Sequence, residues 1–273
     1  MADIRNIVIL TGAGVSAESG LATFRGPDGL WEGHRVEDVC TPEAFRRDPA
    51  LVHAFYDARR AKLGTVEPNA AHRALARLDE QWSGELLLVT QNVDDLHERA
   101  GSKRLIHMHG ELTRGWCLAC DERFGWEGPM GEALRDAASR GSAAPQDERN
   151  QTTAHAEEAL SEAEVPSRST RLNICPVCRT VGRVRPDIVW FGEMPYGMDR
   201  IEQALQRCDL FVSIGTSGAV YPAAGFVRTA RYRGAQTLEI NLEPSLGSYM
   251  FDESRTGKAG DLVPRFVEEL LER

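Results

Sequence analysis

Four of the six cysteines form two Cys-x-x-Cys pairs, Cys117 with Cys120 and Cys175 with Cys178. Two such pairs supply four thiolates, which is the ligand set of a tetrahedral structural Zn²⁺ site with no open position. A redox pair is the alternative, but paired CxxC units in a chain without a visible secretion signal favour a metal. We therefore predict one structural zinc ion that stabilises a small module and takes no part in chemistry.

Two histidines, His107 and His109, follow a short apolar run. If this run is a strand, both side chains point to the same face. Three interpretations compete: a metal-binding pair, buried structural histidines, or one catalytic imidazole. Apart from the cysteines, no third metal ligand is obvious nearby. An imidazole with an ordinary pKa of about 6.5 suits proton transfer at neutral pH.

The first strand and the turn after it predict an anion-binding site. Residues 7–10 are apolar and partly β-branched, which suits a strand buried on both faces. A turn with Gly12 and Gly14 follows, and Ser16 stands where a helix could begin. Glycine lets the backbone approach a phosphate, and N–H groups of a first helical turn point at it. The third glycine of the dinucleotide-binding fingerprint is missing, so a buried turn without a ligand is the alternative.

Polar residues also end a second buried strand. Residues 86–89 are apolar, and Gln91, Asn92 and Asp94 follow them directly. In an open parallel sheet, ligands bind outside the carboxyl ends of the strands. One of these side chains could instead cap the next helix, residues 96–100, but capping does not require the others.

Two strands nearer the C-terminus end in the same way. Residues 209–214 precede Gly-Thr-Ser, and residues 237–240 precede Asn-Leu-Glu. Asn241 and Glu243, in the second of these sequences, are residue types that hold ribose hydroxyls. Strands that alternate with helices predict an α/β fold with a parallel sheet.

The composition narrows the classes of function. Hydrophobic residues make up 42% and charged residues 27%, as in globular proteins, and the net charge of −9 argues against a sequence-independent grip on nucleic acid. A zinc-ribbon nucleic-acid binder is disfavoured for the same reason. No apolar run reaches the length of a membrane span, and no secretory signal is visible, so we expect a cytoplasmic protein. Residues 136–170 lack Phe, Trp, Tyr, Ile and Met and contribute little core.

Taken together, the motifs resemble those of sirtuins, a family of NAD-dependent protein lysine deacylases. The resemblance covers nearly the whole chain and depends on the joint order of the motifs. They read GAGVSAESGLATFR, TQNVDDLHERAG, HMHGEL, the two CxxC pairs, RPDIVWFGE, GTS and NLEPS.

The resemblance implies a Rossmann-type parallel-sheet domain with a smaller zinc-binding and helical domain inserted into it. The Rossmann-type domain would comprise residues 1–27, 72–108 and 186–273. Residues 28–71 would form the helical part of the small domain. The zinc-binding module would span residues 109–185, with a mobile insertion at about 131–171.

The resemblance also implies a role for individual residues. His109 would be the general base and Asn92 a second catalytic residue, while Val189, Trp190 and Phe191 would bind the acylated peptide as an added strand. The residues that would bind NAD⁺ are Gly12, Ala13, Gly14, Ser16, Glu18, Thr23, Phe24, Arg25, Trp31, Gln91, Asn92, Asp94, Gly215, Thr216, Ser217, Asn241, Leu242, Glu243 and Ala259.

The sequence differs from that of many deacetylases of the family at positions that bear on which acyl group is removed. Position 23 is Thr where many deacetylases have Asp, and Tyr56 and Arg59 match the Tyr-x-x-Arg pair of the class III subgroup. Both residues lie on one face of a helix predicted at residues 49–63, and from that helix alone the favoured interpretation is an amphipathic helix with a snorkelling arginine beside a tyrosine. Succinyl and malonyl chains end in a carboxylate, which an arginine and a tyrosine hydroxyl can bind.

We therefore predict NAD-dependent removal of succinyl and malonyl groups, with glutaryl and acetyl as further substrates, giving nicotinamide and 2′-O-acyl-ADP-ribose. An NAD-dependent mono-ADP-ribosyltransferase or an NAD sensor with the same cleft is the alternative. The expected partners are acyl-lysine proteins, with no nucleic acid and no membrane, and we expect a monomer.

Overall fold

The computed structural model describes residues 4–23, 33–130 and 173–272, and two β-sheets organise it. Residues 24–32 and 131–172, which include Phe24, Arg25, Trp31 and the predicted insertion, lie outside the described part. The described strands are β1 (Asn6–Thr11), β2 (Glu85–Thr90), β3 (Leu105–His107), β4 (Gly110–Cys117), β5 (Arg123–Gly125), β6 (Val184–Ile188), β7 (Leu210–Ile214), β8 (Gln236–Asn241) and β9 (Glu253–Thr256).

Helices begin where the sequence offers a cap. The side chains of Thr41 and Asp48 accept hydrogen bonds from the amides of Ala44 and Leu51, and a proline follows each cap. The described α-helices are α1 (Val36–Val39), α2 (Pro42–Arg47), α3 (Pro49–Leu63), α4 (Ala70–Gln81), α5 (Leu96–Ala100), α6 (Met198–Gln206), α7 (Phe226–Tyr232) and α8 (Ala259–Leu271). The predicted helices at 49–63 and 96–100 are confirmed with the same bounds.

The larger sheet is parallel and has the strand order β3-β2-β1-β7-β8-β9. The chain runs outward from β1 to β3 on one side and then from β7 to β9 on the other. The order therefore reverses between β1 and β7, and this switch point is where open α/β sheets bind ligands. The prediction of an α/β fold with a parallel sheet is confirmed.

Both faces of the larger sheet are covered, which explains its continuous apolar strands. Helices α4 and α8 contact each other, and side chains of both pack with alternate residues of β1, such as Ile7 and Ile9. Helices α6 and α7 pack on the opposite face against Val8 and Leu10. These two layers hold the strand ends at one edge of the sheet.

The second sheet is antiparallel, with the order β5-β4-β6. Helices α1 to α3 pack on it through an apolar cluster that includes Leu112, Ile188 and Trp190. The first residues of the RPDIVWFGE motif, as far as Ile188, belong to this sheet, because β6 pairs with β4. Pairing between segments so far apart in the sequence leaves no local signal.

One predicted helix is replaced by tighter turns. After the glycines of the first turn, the chain forms two 3₁₀ turns, Ala13–Val15 and Ala17–Ser19, and not an α-helix. The second turn stops at Gly20, whose φ of +92° is left-handed and cannot continue a helix. Within the described residues, no helix combines the length and apolar character that crossing a membrane requires.

Candidate functional site

A cleft of about 830 Å³ opens at the switch point of the larger sheet. It is bordered by the segments that follow β1, β2, β3, β7, β8 and β9, and by the loop after β6. The structure thus brings together most of the predicted site residues. Those that line the cleft are Gly12, Ala13, Gly14, Glu18, Thr23, Gln91, Asn92, His109, Val189, Trp190, Phe191, Gly215, Thr216, Ser217, Asn241, Leu242, Glu243 and Ala259.

Three glycines allow two turns of the cleft to touch. A Cβ on Gly14 would lie 2.7 Å from the Cα of Gly215, and a Cβ on Gly215 would lie 2.5 Å from the amide nitrogen of Val15. The amides of Gly12 and Gly14 donate to the carbonyls of Ile214 and Gly215. These glycines therefore join β1 to β7 at the cleft floor, and their amides are engaged there, which the sequence pattern did not predict.

The far end of the cleft is tied together by side chains from distant segments. The Asn241 amide donates to the Thr216 carbonyl at 2.7 Å and joins the ends of β7 and β8. The carboxylate of Glu18 accepts from the amide of Gly260 at 2.8 Å, at the first turn of α8. A carboxylate at a helix N-terminus accepts a hydrogen bond from an amide that has no partner within the helix, and its charge interacts favourably with the helix dipole. Glu18 thereby fastens the first turn of the chain to α8.

A smaller cavity of about 280 Å³ adjoins the Asn92 side of the cleft and holds three predicted residues that do not line the cleft, Ser16, Arg59 and Asp94. The Ser16 hydroxyl donates to Asp94 Oδ2 at 3.1 Å and accepts from the Asn92 amide at 3.1 Å. Asp94 Oδ1 also accepts from the Leu96 amide, the first of α5, although the N-cap position of this helix is held by Asp95. Burial raises the pKa of the Asp94 carboxyl.

His109 lies in the turn between β3 and β4, and not within a strand as the spacing predicted. Its Nδ1 lies 3.0 Å from the Gln91 carbonyl, which can only accept, so Nδ1 carries the proton. The neutral ring therefore keeps a lone pair on Nε2. Burial lowers the pKa of His109, so the ring is neutral near pH 7. This is the protonation state that a general base needs.

His107 has a different environment, although it is only two residues away. Its Nδ1 contacts the Asn92 carbonyl at 3.1 Å, and its Nε2 contacts Glu98 at 2.5 Å. The hydrogen bond and charge of Glu98 outweigh burial and raise the pKa of His107. Among the three interpretations of the His-x-His pair, the geometry separates the two rings: only His109 lines the cleft.

The structure separates Tyr56 from Arg59. Arg59 lines the smaller cavity, where its guanidinium lies 3.1 Å from the centroid of the Phe55 ring and donates to the Phe55 carbonyl. Tyr56 is fully buried and lines neither cavity; its hydroxyl accepts from Trp190 Nε1 at 3.0 Å. Tyr56 thus supports Trp190, which itself borders the cleft.

In the segment predicted to bind the substrate peptide, residues 189–191, the backbone amides already donate hydrogen bonds within the protein. The amides of Val189 and Phe191 donate to the carbonyls of His109 and Cys40, and the Trp190 amide donates to Glu193 Oε2. An added strand would therefore have to use carbonyl groups of this segment or the backbone that follows it. The bonds also link the segment directly to His109.

A buried ion pair, missed by sequence reasoning, holds this segment from behind. Arg185 and Glu193 form two hydrogen bonds of 2.6 and 2.9 Å, and Arg185 also donates to the Ile188 carbonyl. The Arg185 guanidinium lies 3.3 Å from the centroid of a Trp190 ring. The pair therefore positions the loop in which Trp190 lies. Its partners are eight residues apart, a spacing that predicts no contact.

Two buried histidines lie behind Ser16 and were also missed. His72 Nδ1 accepts from the Asn69 amide at the start of α4, so its Nε2 donates to the Ser16 hydroxyl, 3.3 Å away. His97 Nε2 contacts the Thr11 hydroxyl at 3.1 Å, and the two rings are 4.8 Å apart. Burial lowers the pKa of His72 to about 4. Both rings are thus neutral supports for the first turn.

The four paired cysteines form one cluster, with every Sγ within 4.8 Å of the others. The Cys117–Cys178 and Cys120–Cys175 sulfur atoms are each 3.7 Å apart, far more than a disulfide bond. Four sulfurs at about 2.3 Å from a tetrahedral zinc ion would be separated by about 3.8 Å. The donor set and its spacing therefore fit one structural Zn²⁺.

The fold and the site define the class of protein: a Rossmann-type α/β protein with a cleft at its switch point and an attached four-cysteine module. Comparison with known proteins narrows this class. The model of the Sir2 family matches residues 12–222, and the chain belongs to this family. The predicted family is therefore confirmed, together with the Rossmann-type fold and its zinc-binding module.

Close relatives agree over nearly the full length. A protein of Bdellovibrio bacteriovorus is 52% identical over 270 residues, covering 98% of this chain and 97% of the relative. A protein of Shewanella oneidensis is 49% identical over 269 residues, covering 98% and 95%. Both are named NAD-dependent protein deacylase.

Solved structures are similar as well. A Sir2 homologue in complex with NAD matches with a TM-score of 0.77 and 36% identity, covering 98% of this chain and 91% of that one. A Sir2 protein with a p53 peptide and NAD⁺ matches with a TM-score of 0.70 and 26% identity, covering 99% and 95%.

Proposed function

We propose that the protein removes acyl groups ending in a carboxylate, above all succinyl and malonyl, from protein lysines in a reaction that consumes NAD⁺. The general activity, NAD-dependent protein deacylation without regard to the acyl group, is the one for which both relatives are named. Deacylation is supported by His109, a neutral imidazole with a lone pair on Nε2 beside a nucleotide-sized cleft, and the choice of acyl group by Arg59, which lines the adjoining cavity.

The chain's own residues suggest how the reaction is organised. NAD⁺ supplies an electrophilic ribose carbon whose leaving group is nicotinamide. Gln91 fixes the proton of His109 on Nδ1, so that Nε2 can take a proton from a ribose hydroxyl. Asn92, Ser16 and Asp94 present amide, hydroxyl and carboxyl groups in the smaller cavity, where they would hold the nicotinamide amide.

The acyl-lysine peptide would bind along the loop that follows β6. Trp190 borders the cleft, and its backbone amide is fixed by Glu193 and indirectly by the Arg185 ion pair. An acyl chain that passes this loop toward His109 would place its terminal carboxylate at Arg59, which lines the smaller cavity beside Asn92 together with a second cation, Lys62. The net charge of −9 supports protein, and not nucleic acid, as the partner.

The direct test is to incubate the protein with NAD⁺ and a succinyl-lysine peptide. Release of nicotinamide together with a peptide lighter by one succinyl group supports deacylation. Transfer of labelled ADP-ribose to protein, without loss of the acyl group, would favour the transferase alternative. Nucleotide binding with no product of either kind would favour a sensor.

Replacing Arg59 with methionine should reduce kcat/KM for succinyl-lysine peptides about 10- to 100-fold, because a hydrogen-bonded ion pair contributes about 1.5–3 kcal/mol. Activity on acetyl-lysine should change little, since acetyl has no carboxylate. The measurement is kcat/KM for both peptides at saturating NAD⁺.

An exposed arginine offers a matched control for this experiment. Arg46 lies on α2 with 72% of its side chain exposed, and Arg46→Met should leave the ratio of the two activities unchanged. Equal losses on succinyl and acetyl peptides in Arg59→Met would contradict the assignment of acyl selectivity to Arg59.

Removing the charge of Glu193 should weaken peptide binding specifically. Glu193→Gln breaks the buried ion pair with Arg185 and loosens the Trp190 amide, so we expect KM for the peptide to rise about tenfold, the equivalent of one charged hydrogen bond. KM for NAD⁺ should stay unchanged. Steady-state kinetics with each substrate varied in turn measures both, and Glu202→Gln on the exposed side of α6 is the control. A parallel rise of both KM values would indicate general misfolding instead.

A further inference from the structure

Three metal-ligating side chains cluster next to the site without lining either cavity. Glu98 comes from α5, His107 from the end of β3, and Glu111 from the start of β4, and one ligand atom of each lies within 4.8 Å of the others. The cluster is separate from the four cysteines, and the deacylation chemistry described above does not use it.

The ring of His107 is held in the orientation that a metal ligand needs. Its side chain is only 8% exposed, and Nδ1 donates to the Asn92 carbonyl at 3.1 Å. A histidine that donates one ring N–H to a backbone carbonyl presents its other nitrogen to a metal. Here that nitrogen is Nε2, and it faces the Glu98 carboxylate at 2.5 Å.

The charges around the cluster favour a cation. Once His107 has lost the proton that it shares with Glu98, as metal binding requires, the two carboxylates and the neutral imidazole carry a charge of −2, which matches a divalent ion. Arg114 lies 3.7 Å from Glu111, but this arginine also contacts the buried Asp187 at 3.6 Å. Arg99 of α5 is paired with Glu67 and Asp95. The side chains of Glu98 and Glu111 are 40% and 31% exposed, so water can complete the coordination.

We propose that Glu98, His107 and Glu111 bind a first-row divalent transition-metal ion, for which Zn²⁺ is the probe of choice. One imidazole and two carboxylates suit Zn²⁺ better than Ca²⁺ or Mg²⁺, which prefer all-oxygen sites with more ligands. The ion replaces the proton shared by His107 and Glu98, so binding releases a proton. The bound ion joins α5 to β4 and reaches the Asn92 loop through His107.

The test begins with protein that carries one zinc ion on its four cysteines. Titrating Zn²⁺ against a chromophoric chelator should reveal one additional equivalent in the wild-type protein. His107→Gln should abolish this second site, while Glu98→Gln and Glu111→Gln should each weaken it at least about tenfold. Glu80→Gln, an exposed carboxylate on α4, should bind like the wild type.

The midpoint of thermal unfolding distinguishes binding at this site from weak, non-specific binding of zinc to the surface. Zinc added beyond the first equivalent should raise the unfolding midpoint of the wild type and of Glu80→Gln, but not that of the three ligand variants. If His107→Gln fails to fold, the two glutamate variants decide the outcome. No second equivalent in the wild type, or an equally strong one in all variants, would overturn the proposal.

Discussion

Replacing His109 with alanine should lower kcat for deacylation by about 10²- to 10⁴-fold, the usual contribution of a positioned general base. The reason is local. The Gln91 carbonyl fixes the proton on Nδ1, and burial keeps the ring neutral, so Nε2 is the cleft's ready proton acceptor. Single-turnover measurement of peptide deacylation gives the rate directly.

Two controls distinguish a base from a structural histidine. The His109→Ala variant should keep its unfolding midpoint and its affinity for NAD⁺, because His109 makes one hydrogen bond through its ring and is only partly buried. Added imidazole should restore part of the activity. Wild-type turnover in the variant would remove His109 from its role.

The dependence of wild-type activity on pH should also show that His109 acts as the base. Burial lowers the pKa of His109, so its base form persists to lower pH than that of an ordinary histidine. The activity should therefore begin to fall only at a lower pH than a base with the ordinary histidine pKa of about 6.5 would allow. The acid limb should be absent from the residual rate of His109→Ala. An acid limb centred above pH 7 would contradict the assignment.

Local sequence patterns were enough to predict the strands whose ends form the candidate site. The apolar runs at the cores of β2 and β7 predicted strands, and the polar residues after them, such as Gln91 and Asn92, do meet at one edge of the sheet. This worked because a strand buried on both faces has an unbroken apolar run. The Cys-x-x-Cys spacing likewise predicted a four-sulfur cluster, since few other arrangements use two such pairs.

Features that depend on distant partners escaped prediction. The first turn has the glycines of a helix-opening phosphate loop, yet Gly14 is needed because its Cα approaches Gly215, some 200 residues later in the chain. The contact between His72 and Ser16, which are 56 residues apart, appears only in the folded chain. Tyr56 was paired with Arg59 by spacing, but its hydroxyl lies under Trp190.

The four-cysteine cluster lies near the ends of the two strands that position the turn of His109. Cys117 ends β4, which begins one residue after His109, while Cys175 and Cys178 precede β6, which ends one residue before Val189. The amide of Val189 donates to the carbonyl of His109 at 2.9 Å. We therefore expect a change at the cysteine cluster to be transmitted along both strands to the turn that holds His109.

Zinc removal should consequently abolish deacylation, although a zinc ion with four cysteine ligands has no open coordination position and takes no part in the reaction. Structural zinc sites contribute about 10–16 kcal/mol of apparent binding energy in small modules, as much as the whole stability of a typical domain. We expect Cys175→Ala to lose both the metal and the order of the three-stranded sheet. Zinc content, circular dichroism and peptide turnover measure these effects.

The matched control is Cys208, which is buried in the core of the larger sheet, outside the cluster. Cys208→Ala should keep one zinc ion and nearly full turnover, because it removes a single small apolar group. Binding of NAD⁺ offers a finer distinction. The larger sheet has its own two-sided core, so the zinc-free protein should retain part of its nucleotide affinity while losing peptide turnover. Full turnover in zinc-free protein would mean that the antiparallel sheet holds His109 and Val189 in register without its metal.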